Sequence, residues 1–168
     1  SRVFAFTIFL ISLWTTDIGF FTATNDYDLA NFELRVALFL GSAIASLFLY
    51  FFYLFPNDIR PPKKLSLLLI GFQILIIYLY FFTNQVETGP ILAGSHSPSG
   101  LWEWGLGPLY FIFELPFFGF FALGITWMCQ KYKLANLPSE KKNLMYMILT
   151  IVIGLIPAGL FSIVLPQF

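Results

Sequence analysis

Few residues in this sequence are able to do chemistry, and three ionisable ones lie inside long apolar stretches: Asp17, Arg35 and Glu114. A charge in hydrocarbon is costly, and such residues pair with one another, line water-filled cavities or mark ion and proton paths. At about 1.5 Å of rise per helical residue, Asp17 lies roughly 6 Å from the end of its stretch at Phe21, and Glu114 roughly 7–8 Å from the end of its own at Leu109. Arg35 is slightly shallower. All three fall in one layer, so the expectation is a ligand- or signal-sensing cluster in which Arg35 neutralises one or both carboxylates. The structural alternative has Asp17 and Arg35 reaching water at frayed helix ends while Glu114 hydrogen-bonds a neighbouring helix. Glu33, at the mouth of the second stretch, and the deeper Gln73 stay outside this cluster.

Other chemistries find little support. No His-Glu-x-x-His, Gly-x-Ser-x-Gly or Gly-x-x-x-x-Gly-Lys pattern occurs, so no catalytic residue is assigned and the segment is not read as an enzyme. The single histidine, His96, lies between Ser95 and Ser97 without an acid at a defined spacing, which suits a solvated loop residue better than a general base. One cysteine, Cys129, excludes an internal disulfide, and one histidine with one cysteine leaves too few ligands for an ordinary zinc or iron site. Neither a metal nor a cofactor is expected. Cys129 is read as a packing residue, with lipidation as the alternative.

The elements that position these residues follow from composition. The chain is 58% hydrophobic and 11% charged, with 22 Phe among 168 residues, against about 45–50% apolar and 25% charged in soluble domains. A helix needs about 20 apolar residues to cross a ~30 Å hydrocarbon core. Five stretches qualify, at about 3–21, 32–55, 65–82, 109–128 and 145–165, and they are continuous instead of alternating, which excludes a barrel. The fold expected is an all-α polytopic transmembrane bundle, forming a single membrane domain over 1–168. Because the chain is already apolar by Val3 and opens on Ser1, it reads as an internal segment lacking at least one helix at each end and any soluble output domain.

Net charge is zero, which offers no field for nucleic acid, but the charges are unevenly placed. Arg60, Lys63 and Lys64 follow the second stretch, and Lys131, Lys133, Lys141 and Lys142 follow the fourth; Asp26, Asp28, Glu87 and Glu103 lie in the other connections. Lys- and Arg-rich short loops stay cytoplasmic, so the Arg2 side is expected inside a cell membrane and the Phe168 side outside. The long connection 83–108, rich in Gly, Pro and Ser, reads as irregular backbone. Its Trp102 and Trp104 suit the headgroup layer, with a ligand-capping lid as the alternative. In the second stretch Ala37, Gly41 and Ala45 form a small-residue stripe for close helix approach. Pro116 in the fourth and Gly154, Pro157 and Gly159 in the fifth predict kinks.

The order of features resembles one known family, the seven-helix N-terminal membrane module of bacterial sensor histidine kinases. The resemblance covers most of the chain. Its residues are Ser1-Arg2-Val3-Phe4-Ala5-Phe6 leading to Trp14, then Arg35, then Tyr53-Leu54-Phe55-Pro56. Gly105-Leu106-Gly107-Pro108-Leu109-Tyr110, Gln130-Lys131-Tyr132-Lys133, Glu140-Lys141-Lys142-Asn143-Leu144-Met145-Tyr146 and Leu165-Pro166 continue it. The resemblance implies that the chain spans helices two to six of seven, an inside-to-outside path that agrees with the loop charges. It also implies a sensory input and anchoring role in two-component-type signal transduction. The partners expected are the lipid bilayer, the missing helices and cytoplasmic output domain of the same chain, and a second copy in a homodimer. The alternative is part of a small-solute or ion transporter, which internal inverted repeats would favour.

Overall fold

A computed structural model describes residues 2–56, 61–92 and 102–159, with the side chains of 104, 106, 112–114 and 154–159 outside the described set. Among the described residues the chain forms five helices and one two-stranded sheet. The helices are α1 (Arg2–Ala23), α2 (Tyr27–Leu54), α3 (Lys63–Phe82), α4 (Phe111–Leu134) and α5 (Pro138–Gly159). Of these, α1, α2 and α3 are long and apolar enough to cross a membrane.

The helices outrun the apolar stretches at their polar ends. Asp26 caps α2 six residues before Phe32, its carboxylate accepting from the N–H groups of Asp28 and Leu29 at 2.9 and 3.1 Å, which satisfies donors that have no partner inside the helix. α4 continues past Met128 through Lys131 and Lys133, placing two cations on the negative end of its dipole. α5 begins at Pro138 instead of Met145, because proline suits the first helical position, where no N–H is needed. The helices expected to kink at proline are continuous through it. α4 runs through Pro116, and α5 runs across Gly154 and Pro157 to Gly159.

α2 is the hub, touching α1, α3, α4 and the sheet. Its stripe of Ala37, Gly41, Ser42, Ala45 and Ser46 is buried, and small side chains there let neighbouring backbones approach. Gln73 of α3, set apart in the sequence, donates from Nε2 to Ser46 Oγ at 2.8 Å and to the Ser42 carbonyl at 3.1 Å, while Ser42 Oγ donates to Gln73 Oε1 at 3.3 Å. A half-buried amide bonded in this way clamps α3 to α2 at mid-length. Two cores mark the two ends of the bundle. One gathers Ala45, Phe51, Phe52, Phe121, Met128 and Leu144; the other gathers Phe21, Leu34, Ile76, Tyr80, Val86 and Trp102. Outward-facing side chains include Phe6, Phe9 and Phe20 on α1 and Leu67, Leu68, Ile74 and Phe82 on α3, an apolar surface of the kind that lipid covers.

The connection 83–108 departs from the irregular backbone expected of it. It contains β1 (Glu87–Leu92) and β2 (Trp102–Leu106), antiparallel, with Glu87 opposite Leu106 and Leu92 opposite Trp102. The register shifts between Glu87 and Gly89, the local bend that an irregular pairing produces. Gly89 has φ +96°, and a Cβ there would stand 2.7 Å from the Tyr27 hydroxyl, so glycine alone fits both the backbone and the space. Gly105, facing it, would put a Cβ onto the Gly89 carbonyl oxygen.

Candidate functional site

The hairpin is fastened to the bundle by Arg35. Four residues after Asn31 and eight after Tyr27, Arg35 lies on the face of α2 that meets the sheet. Its Nη2 stands 2.9 Å from Glu87 Oε1 and donates to Asn84 Oδ1 at 3.0 Å, and its Nη1 donates to the Tyr80 carbonyl at 2.6 Å. That carbonyl lies in the last turn of α3, where backbone oxygens lack helical partners and attract cations. The neighbouring Leu79 carbonyl accepts from Thr83 Oγ1 at 2.6 Å. One guanidinium thus ties the N-terminal part of α2 to the end of α3 and to β1.

Glu87 is 1% exposed. Its other oxygen, Oε2, accepts from the Gly89 N–H at 2.6 Å across the register shift, so the bend that Gly89 permits also aims the carboxylate at Arg35. Burial raises the Glu87 carboxyl above its ordinary range, opposed by the Arg35 charge and the Gly89 N–H. A docked hairpin therefore holds a proton on Glu87 more tightly than a released one. Docking should strengthen as pH falls through the raised value toward the ordinary carboxylate value, and weaken as pH rises. Hydrogen exchange of the Gly89 amide at several pH values, corrected for intrinsic exchange, measures this; protection that grows with rising pH would contradict it.

A second fastening is Trp102. Its Nε1 donates to the Thr24 carbonyl at 2.8 Å, just beyond the end of α1, and its ring meets Tyr27 edge-on at 5.8 Å. The indole is 7% exposed. The Trp102 N–H is thus taken by backbone and its ring by Tyr27. Trp104 contributes backbone opposite Pro90, and its side chain lies outside the described residues.

Of the expected cluster of Asp17, Arg35 and Glu114, the structure describes the side chains of Asp17 and Arg35, and these turn to different partners. Asp17, 7% exposed, faces Glu33 across the α1–α2 interface. Glu33 and Arg35 are two residues apart, roughly 200° around a helix, so the α2 residue that reaches Asp17 is the acid, and the arginine turns to the hairpin. Asp17 Oδ2 has no hydrogen-bond partner among the described residues, and neither do Asn31 Oδ1 and Arg35 Nε on the hairpin side. The Glu114 side chain lies outside the described residues, as do His96 and Arg60. Glu87 had been read only as a loop charge. The signal that could have found it is pairing: an arginine drawn partly into an apolar bundle calls for an acid beside it, and Glu87 is a carboxylate of the connection that returns over α2.

At the opposite end, Lys131 repeats the device. Its Nζ donates to the carbonyl oxygens of Phe52, Tyr53 and Phe55, the first at 3.0 Å, and lies over the Tyr53 ring at 5.6 Å from its centre. The ammonium satisfies the orphan carbonyls that end α2. Cys129 is exposed on the same helix. No group of three or more His, Cys, Asp or Glu placed to hold a metal ion occurs among the described residues.

No family model matches the chain, and no curated protein or solved structure does either.

Proposed function

We propose that the chain is the membrane-embedded sensory input and anchoring module of a signal-transduction protein, crossing a cell membrane five times with the Arg2 side cytoplasmic. The observation that carries this reading is the docked hairpin. A polar segment between two apolar helices is held on the hub helix by a buried ion pair and an indole hydrogen bond, so a ligand or membrane change that favours one docking state acts directly on the packing of α2. Such a signal works only through different affinity for the two states. The five spans are supported by the apolar lengths of α1 to α3 and by the extension of the same pattern into α4 and α5. The orientation is supported by the exposed lysines gathered at one end. A cytoplasmic output domain and a homodimer belong to this reading through the resemblance to histidine-kinase sensor modules.

The test uses the full-length protein with a transcriptional or phosphorylation readout. Trp102→Phe removes the N–H while keeping a ring, and Glu87→Gln keeps shape while removing charge. Both are expected to shift the basal output and to change its dependence on the external medium. Unchanged output from both, with normal insertion, would remove the hairpin from signalling.

A further inference from the structure

The end of the bundle opposite the hairpin carries a concentration of cations that the fold does not consume. Lys63 and Lys64 open α3, Lys133 ends α4, and Lys141 and Lys142 lie in the second turn of α5; all five are exposed. Lys131 is spent on the α2 carbonyls, and the acid of this end among the described residues is Glu140. Arg2 of α1 adds an exposed cation to the same end, since the neighbouring Val3 packs on the core built from Phe51, Phe52 and Leu144.

Aromatic rings lie at the same level. Tyr53 and Trp127 meet edge-on at 5.4 Å and line a recess of about 200 Å³ with Gln130, Lys131 and Leu134. Tyr146 is 52% exposed beneath Lys142, whose Nζ lies 5.7 Å from the ring centre. Amphipathic rings of this kind sit at headgroup depth. A larger recess of about 440 Å³ opens beside Pro56, Ala135, Leu137 and Leu144, with Lys131 and Glu140 as its charged lining.

We propose that this end is a binding surface for anionic phospholipid headgroups, held by the exposed lysines at the start of α3, the end of α4 and the start of α5. The proposal rests on the membrane-spanning reading above. Charge complementarity selects the occupant: five exposed lysines against Glu140 at this end, among the described residues, favour a lipid of net negative charge over a zwitterionic one. Each lysine near an anionic surface contributes about 1 kcal/mol, or about fivefold in relative affinity, and the effect fades as salt shortens the Debye length.

The experiment places the full chain in nanodiscs of phosphatidylcholine mixed with phosphatidylglycerol and reads the lipids that stay bound by native mass spectrometry. Wild type is expected to retain phosphatidylglycerol well above its share of the mixture at low salt, and to lose the preference at high salt. K133Q/K141Q/K142Q should reduce the enrichment by an order of magnitude or more, and K133R/K141R/K142R should keep it. Retention of both lipids in proportion to their supply, or an enrichment that survives the glutamine substitutions, would overturn the proposal. Carbonate extraction of the cell membranes in which the chain is expressed separates the two readings. A chain that stays inserted without lipid preference defeats the headgroup surface alone, and a chain that is extracted defeats the membrane-spanning reading.

Discussion

Replacing Arg35 by leucine alone should loosen the hairpin by about 3–5 kcal/mol, and replacing Arg35 and Glu87 together by leucine should recover most of that loss. The asymmetry comes from desolvation. Arg35→Leu leaves Glu87, 1% exposed, as a buried carboxylate with only the Gly89 N–H for company, and an uncompensated buried charge is what costs that much. The double variant removes both charges and fills the space with apolar atoms, a change that is often near neutral. Recovery is expected to be incomplete, because the Tyr80 carbonyl also loses its donor, at up to about 1–3 kcal/mol for a buried polar group left unmet, while the exposed Asn84 turns to water. Exchange of the β1 amides in detergent or nanodiscs measures the difference. Equal loosening in the single and double variants would mean that the ion pair itself stabilises the docked state, with no desolvation cost to relieve.

The second large effect lies at Gly124. Elsewhere on α4 glycine is a weakness, and Gly119, with open space around it, should accept alanine with a gain of up to about 1 kcal/mol in helix propensity. At Gly124 an added Cβ would enter the Phe52 ring, and Phe52 is fully buried among Phe48 and Phe121. Overpacking of a fixed core costs about 1–3 kcal/mol, more than the propensity gained, so Gly124→Ala should destabilise and Gly124→Val should do so further. Phe52→Leu is expected to suppress the alanine variant by giving the methyl group room. Thermal unfolding of the four combinations reads out the coupling; additive effects would show that the two positions do not share that space.

The apolar stretches were legible because a bilayer-length run of Phe, Leu and Ile has one physical solution. The helix ends were not, since Asp26, Lys131 and Pro138 extend helices by capping and dipole effects that a hydropathy window reads as loop. The hairpin was hidden for a different reason. Its first strand contains Gly89 and Pro90, residues depleted in strands, and β1 and β2 are joined by a connection too long for the two-residue turn signals that announce hairpins. The depth argument placed Asp17 and Arg35 at one level. Depth alone carries no angle, and the roughly 200° between Glu33 and Arg35 sends the two charges to different neighbours.

Lys131 and Arg35 together decide how α2 is free to move. Three carbonyls at one end of the helix close on a lysine of α4, and the arginine near the other closes on the last turn of α3 and on β1. Sliding α2 along its axis by one turn, about 5.4 Å, would strand three oxygens at one end and a guanidinium at the other. Gln73 adds a third hold in the middle, on Ser42 and Ser46, so α2 is registered against α3 and α4 at three levels along its length.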